Sequence, residues 1–399
     1  MAHRRATQRA RISRLIYASL LFCAPVAAER NFAGYLKSFA ILQEAPNLPG
    51  SWDNTAESQS SLRLMWDSFH NNYALQVHYE VSPVVVSRRT SLDNRTFTGA
   101  SNSWRVSDFK SDLDSGKRHD VFQNLDRLNL QVALPGADLT IGRQAITFGA
   151  SRIISPTDIF LPFDVRTFNQ EYRVGVDAVR FQRPLGQLGE LDIGYIAGEG
   201  ARSENSSAYV QTRVNAGGND MFLVLAKLAD QTLTGVGLQR ALGELGFWAE
   251  GARVSGDQNY WRGTLGLDHA FSEKVFGQLE YHYNGAGASR PQDYAALFST
   301  PAYQSGGLFL LGKSYLMPSL AITVSALSTV NVAGFINVSD GSAFLALTMQ
   351  RSLSDNLYTD LGMYLFAGDG FDTAGVTPGA GSEYGASPAL LFASLRYYF

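Results

Sequence analysis

The sequence predicts an all-β fold: a transmembrane antiparallel up-and-down β-barrel of about 18 strands. Three observations carry this. Apolar and polar residues alternate with a period of two, the chain carries little charge, and the last strand ends in an aromatic-rich apolar face.

The alternation is explicit. Leu62, Leu64 and Trp66 fall on one face, and Arg63, Met65 and Asp67 on the other. Tyr73, Leu75, Val77 and Tyr79 oppose Gln76, His78 and Glu80. Leu128, Leu130 and Val132 oppose Arg127, Asn129 and Gln131. Trp261, Leu265 and Leu267 oppose Arg262, Thr264 and Asp268, and Leu279, Tyr281 and Tyr283 oppose Gln278, Glu280 and His282. This is the period of a strand with one apolar face. A soluble sandwich alternates too. Here the polar face carries ionised groups strand after strand, as a wet lumen requires. Trp66, Tyr73, Tyr79, Trp261 and Tyr397 sit near strand ends on the apolar face, where a headgroup girdle lies.

Composition agrees. Only 17% of residues are charged, 12% are aromatic, and mean hydropathy is −0.08. Soluble domains carry about a quarter charged residues. A length of 399 residues would ordinarily mean two or three domains, but a closed sheet can keep adding strands around a lumen. No apolar run of the roughly 20 residues needed by a membrane helix follows the N-terminus.

The expected strands are 32–43, 60–69, 72–83, 121–134, 137–147, 171–183, 188–198, 207–216 and 219–229. They continue as 231–241, 244–254, 259–270, 274–284, 306–316, 319–331, 342–351, 357–367 and 388–399. Segment 330–338 is an alternative extension of the fifteenth strand. With the C-terminus in the periplasm, outward connections come out long (44–59, 84–120, 148–170, 199–206, 285–305, 368–387). Inward ones come out short, among them Pro135-Gly136, Ser272-Glu273 and Met317-Pro318. Long outside and short inside is the asymmetry of outer-membrane barrels.

On the last strand Leu391, Ala393, Leu395, Tyr397 and Phe399 share one face. This resembles the signal read by the barrel assembly machinery, with Phe399 as the terminal contact.

The N-terminus reads as an export signal. Arg4, Arg5, Arg9, Arg11 and Arg14 precede the apolar stretch Leu15 to Ala24, and Val26-Ala27-Ala28 offers small residues for cleavage. Residues 1–28 are therefore expected to be a signal peptide and 29–399 the barrel. Cys23, the only cysteine, lies within the signal behind Phe22, which is too large for lipoprotein processing. Without the five arginines the chain has 28 basic residues against 36 acidic, a net charge of −8. That argues against nucleic-acid binding, which needs a basic face. The expected partners are outer-membrane lipid, lipopolysaccharide and a transported solute.

One segment, 124–183, is unusually charged. Asp126, Arg127, Arg143, Arg152, Glu171, Arg173, Asp177 and Arg180 are the candidate residues of a solute path. Lumenal charges are costly unless paired or solvated. Two readings fit: a constriction that orders charges before a passing solute, or a ladder that braces the wall. Ion-pair networks commonly serve structure, which favours the brace. Arg143 shares parity with Leu139 and Ile141, and Arg180 with Val174 and Val176. An arginine facing lipid at mid-membrane costs about 2–4 kcal/mol. Bulges near Gly142 and Asp177 are therefore expected, or a position of these arginines above the apolar band. Segment 148–170 holds Ile159, Phe160, Leu161 and Phe163, too apolar for an exposed loop. Folding into the mouth is expected; capping the rim or packing on a neighbouring barrel are the alternatives.

Gly142-Arg143-Gln144 followed by Arg152, within a signal-bearing barrel of this length, resembles the alginate export family. The resemblance covers most of 29–399 in architecture and about 124–183 in motif. It implies an 18-stranded barrel whose lumenal arginines guide a polyanionic polysaccharide outward, with Arg127, Arg143, Arg152, Arg173 and Arg180 in that role. Asp67, Glu80, Asp192, Asp268, Glu280 and Asp360 are also expected inward, and an acidic lumen repels alginate. A general pore for small polar solutes and a structural or adhesive barrel are the competing functions.

An enzyme is not expected, because no nucleophile–base–orienter set is visible. His119 beside Asp120, with Asp112 and Asp114 nearby, is the one cluster that suggests a catalytic pair or weak cation site; a solvated loop is the plainer reading. No cofactor or metal motif is present.

Overall fold

A computed structural model describes residues 29–45, 53–88, 104–107, 112–160, 171–228, 230–305, 307–372 and 379–399. The expected signal peptide, 1–28, lies outside them. The strands in chain order are β1 (Glu29–Gln43), β2 (Thr55–His70), β3 (Tyr73–Val86), β4 (Asp112–Ser115), β5 (His119–Leu134), β6 (Ala137–Gln144) and β7 (Val176–Leu185). Then come β8 (Gly189–Ile196), β9 (Ser207–Ala216), β10 (Asn219–Leu228), β11 (Gln231–Leu242), β12 (Leu245–Ser255), β13 (Tyr260–Ser272) and β14 (Val275–Asn284). Last are β15 (Ser314–Ser325), β16 (Ser328–Asn337), β17 (Ala343–Ser354), β18 (Leu357–Ala367), β19 (Phe371–Asp372), β20 (Gly379–Ala380) and β21 (Leu390–Tyr398).

All but the short β4, β19 and β20 form one closed antiparallel barrel of 18 strands. Each barrel strand pairs with the next, β3 with β5, β18 with β21, and β21 closes the ring on β1. Closure leaves no unpaired sheet edge in lipid. At the seam, Phe399 and Gly34 exchange backbone hydrogen bonds at 3.0 and 2.8 Å. A Cβ on Gly34 would lie 2.6 Å from the Phe399 ring and 2.5 Å from the Arg63 carbonyl, so only glycine lets the last residue settle there.

The predicted alternation is realised. Leu391, Leu395, Tyr397 and Phe399 face outward, while Phe392 and Ser394 are buried inside. At one end the connections are two or three residues long, as at 71–72, 135–136, 186–188 and 217–218; the other end carries 145–175, 285–313 and 368–389.

The sequence reading misplaces two strands. Spans 306–316 and 319–331 with a turn at Met317-Pro318 were expected; the strands are β15 and β16, and the turn is 326–327. Pro318 sits within β15 opposite Leu279, facing outward. A strand tolerates proline where the ladder is interrupted. Pairing with β16 jumps from Leu316–Ile336 to Ser319–Ala333, and Gly334 lies across from the pyrrolidine ring.

β7 begins at Val176 rather than at 171, and β6 ends at Gln144 rather than at 147. Between them, residues 145–160 and 171–175 leave the wall and lie inside the barrel.

Candidate functional site: the narrowed lumen

The inner wall has two unlike sectors. From β18 through β21, β1, β2 and β3 to β5 it presents Asp360, Arg396, Lys37, Arg63, Glu80 and Arg127. From β9 to β13 its buried residues are chiefly apolar, including Tyr209, Phe222, Val224, Leu233, Ala252 and Val254. An apolar inner wall facing water would be unfavourable. Ile146, Phe148, Ile159 and Phe160 of the β6–β7 connection cover it, with the Phe148 ring 4.8 Å from Tyr209 and the Phe160 ring 5.2 Å from Trp104. The expectation of an inward-folded loop holds for residues 145–160; Leu161 and Phe163 lie outside the described residues.

Two wall carboxylates fasten this loop. Glu250 of β12 accepts the backbone N–H groups of Ala150 (2.8 Å), Ser151 (3.0 Å) and Thr157 (2.9 Å). It also accepts the hydroxyls of Ser151, Ser155 and Thr157 at 2.6–2.9 Å. Glu280 of β14 accepts the backbone N–H groups of Arg152 (3.0 Å) and Ile154 (2.8 Å), and the Trp248 indole N–H (2.8 Å). Arg262 donates to the Pro156 carbonyl (3.0 Å) and Thr264 to that of Ile154 (2.9 Å). A loop backbone buried in the lumen needs such partners, because it has no water to satisfy it. Gly149 adopts φ +108°, and a Cβ there would lie 2.0 Å from the Ser155 hydroxyl; the bend requires glycine.

The returning segment 171–175 lies against the charged sector. Asp126 is its hub. It accepts from Arg63 (2.5 Å), Arg127 (2.6 Å) and the Gly175 N–H (2.9 Å), and lies 3.6 Å from Arg105. Arg127 also donates to the Arg173 carbonyl (2.6 Å), and Arg105 to that of Gly175 (2.8 Å). Asp126 and Arg127, though adjacent, are both buried on the inside, because β3 pairs His78 with Arg127 but Tyr79 with Leu125. Asp126 is thus the extra residue of a bulge. Bulges near Gly142 and Asp177 were expected instead. Pairing of β6 with β7 is unbroken from Asp138–Gln182 to Gln144–Val176, so the bulge is one strand earlier.

The other candidates separate. Arg143, the penultimate residue of β6, pairs with Asp177 (2.7 and 2.9 Å) and donates to the Leu125 and Ser107 carbonyls. Segment 104–107 covers this pair, with the Val106 N–H on Asp177 at 2.9 Å. Arg180 faces inward, because Val176 and Ala178 do too, and its guanidinium bonds both oxygens of Asp192. Glu171 bonds Lys37 and the Tyr398 hydroxyl. Arg173 bonds Asp158, whose carboxyl burial pushes up to about 6 against the pull of that guanidinium. Arg152 lies 3.4 Å from Asp268, and its side chain is 53% exposed. The inward acids Asp67, Glu80, Asp192, Asp268, Glu280 and Asp360 all engage inner-wall or loop groups.

Sequence reasoning did not single out Glu250, Arg63, Arg105 or Lys37, and it placed Glu280 inward without a partner. Parity along β12 would have found Glu250, an acid between inward Trp248 and Ala252; the loop that it holds is not encoded nearby. His119 lies 3.0 Å from Asp114, both exposed. Among the described residues no group of three metal-binding side chains is present.

No family model matches the chain. No curated protein sequence matches it either. Solved structures do. A doubly substituted OccD1 (OprD) aligns with TM-score 0.58 and 10% identity over 93% of this chain and 95% of its own. OprD is an outer membrane protein of Pseudomonas aeruginosa. OccAB4 of Acinetobacter baumannii aligns with TM-score 0.55 and 11% identity over 93% and 98% of the two chains. OccD3 (OpdP) of Pseudomonas aeruginosa aligns with TM-score 0.52 and 10% identity over 92% and 91%. At such identities the barrel shares their fold. The resemblance to the alginate export family gains no support from these comparisons.

Proposed function

We propose that the barrel is a solute-selective channel of the outer membrane, narrowed by residues 145–160 and 171–175, which passes small polar solutes rather than a polyanionic polysaccharide. The observation that carries this is the fastening of residues 150–157 to the inner wall by Glu250 and Glu280, which holds the loop across the lumen. An arginine track for a polyanion would need cations free to meet it. Here Arg127, Arg143, Arg173 and Arg180 are each bonded to a carboxylate. Arg152 is the most accessible of the five, and Asp268 faces it. The lining along the path is therefore of mixed charge, and selection acts through size and local dipoles more than through net charge. The end with long connections faces outward, and residues 1–28 serve as the cleaved export signal.

Swelling of liposomes containing the purified barrel tests this. Small neutral sugars should enter at rates that fall steeply with size, and acidic oligosaccharides should enter no faster than neutral ones of equal length. Faster entry of the acidic series would restore the alginate-type reading. The absence of any swelling would remove the channel.

A further inference from the structure

On the strands at the end carrying the long connections, two cations point away from the lumen. On β10 Phe222, Val224, Ala226 and Leu228 are buried inside, so Lys227 faces the membrane side and is exposed. On β12 Arg253 is exposed between inward Ala252 and Val254, with its guanidinium 5.2 Å from the centre of the outward Trp261 ring. Both lie in the last turns of wall at the end carrying the long connections. There the neighbouring connections, 229–230 and 256–259, are short.

Pairing sets the two cations on one patch. Lys227 is opposite Thr232, and Thr234 is opposite Arg253, with β11 between them. At strand spacings of about 4.8 Å and rises of about 3.4 Å per residue, their Cα atoms are roughly 12 Å apart. The Thr232 and Thr234 side chains share that outward face. Asp230 and Asp257 lie in the adjoining connections, and neither forms an ion pair with Lys227 or Arg253.

Below the patch the wall is grooved. Val210 and Leu225 line one groove, which reaches Lys227 and Thr232. Val236, Ala249, Gly251 and Gly263 line the next. Gly251 and Gly263 are cross-strand partners, and a Cβ on either would meet nothing nearer than 3.9 or 3.7 Å. Packing within the barrel does not require that hollow.

A cation on the lipid face is tolerated near the interface, though still at some cost. A phosphate there replaces the cost with charge-assisted hydrogen bonds. We propose that Lys227, Thr232, Thr234 and Arg253 form a binding site for a phosphorylated, multiply acylated glycolipid of the lipid A kind, with its phosphates on the two cations and acyl chains in the two grooves. Two cations about 12 Å apart suit a headgroup with two phosphates, and two grooves suit several chains. The outer leaflet, at the end with long connections, is where such a lipid resides. This site is independent of what the lumen passes.

The test is native mass spectrometry of the full barrel in detergent, incubated with bisphosphoryl lipid A, its dephosphorylated form or phosphatidylglycerol. Bisphosphoryl lipid A should bind at least tenfold more tightly than the other two. K227Q/R253Q should lose that preference, and G251L/G263L should weaken binding several-fold. Single-channel conductance of K227Q/R253Q should stay at the wild-type value, which also reports correct assembly. The single variants K227Q and R253Q, each expected to lose part of the preference, keep the test readable if the double variant does not assemble. Equal binding of phosphatidylglycerol, undiminished binding by K227Q/R253Q, or loss of barrel self-association as the only change would each overturn the proposal.

Discussion

Thr157 gives both its backbone N–H (2.9 Å) and its hydroxyl (2.6 Å) to one oxygen of Glu250, 93 residues away in sequence. The contact joins the inward loop to the barrel wall, and most of the functional reading follows from it.

Substituting Glu250 alone should loosen the loop without opening the barrel. Hydrogen bonds to charged groups contribute about 1.5–3 kcal/mol each, and Glu250 accepts six from the loop. In Glu250→Ala, limited proteolysis should cut within 148–160 at least tenfold faster than in wild type, while strand content by circular dichroism stays the same. Equal cleavage rates would mean that the apolar contacts of Phe148 and Phe160 hold the loop by themselves.

Asp126 neutralises a crowd of guanidinium groups. Asp126→Ala leaves Arg63 and Arg127 buried without the carboxylate that both now bond. Removing one partner of a buried ion pair costs about 3–5 kcal/mol. Urea unfolding from lipid vesicles should register a loss of that order. A loss below about 1 kcal/mol would show that the cluster is solvated rather than sealed.

Two of the candidate arginines should behave oppositely. Arg152→Ala should move the reversal potential in a salt gradient toward cations, since its half-exposed guanidinium adjoins the lumen. Arg143→Gln should leave selectivity unchanged, because segment 104–107 covers that side chain, and should lower stability instead. A selectivity change in the Arg143 variant would place it on the solute path.

Much of this was legible in the residues, and what was not has a physical cause. Alternation identified the wall and its facing, because lipid and water act on every strand alike. It gave the inward acids Glu80, Asp192 and Glu280. It failed at Pro318, where a turn-forming residue sits in a strand whose ladder is broken opposite Gly334. It left the facing of Arg180 open, because Val176, four residues earlier on the same face, turns inward onto apolar loop residues rather than outward onto lipid. Glu250 and Asp126 owe their roles to segments that arrive from elsewhere in the chain, and no local pattern records such a meeting.

The loop after β18 should respond to pH. Glu383 accepts from the Tyr315 hydroxyl (2.5 Å), the Asn337 amide (2.8 Å) and the Leu311 N–H (3.0 Å). Burial nevertheless pushes its carboxyl from the ordinary 4.5 up to about 7. A carboxyl raised on folding favours the protonated, docked form. Its contribution is full below 4.5 and fades as pH rises through about 7. Protection factors over 379–389, which are exchange rates corrected for the intrinsic base catalysis of amide exchange, should be larger at pH 5.5 than at pH 8, and Glu383→Gln should remove the difference. Protection that grows as pH rises would contradict this sign.

The most direct test of the narrowed lumen is single-channel recording in planar bilayers, comparing the wild-type barrel with E250A/E280A. The loop-fastening account predicts small, steady steps for wild type and steps at least twofold larger and noisier for the variant, because the segment 148–160 no longer lies across the path. Equal conductance in the two proteins would contradict it.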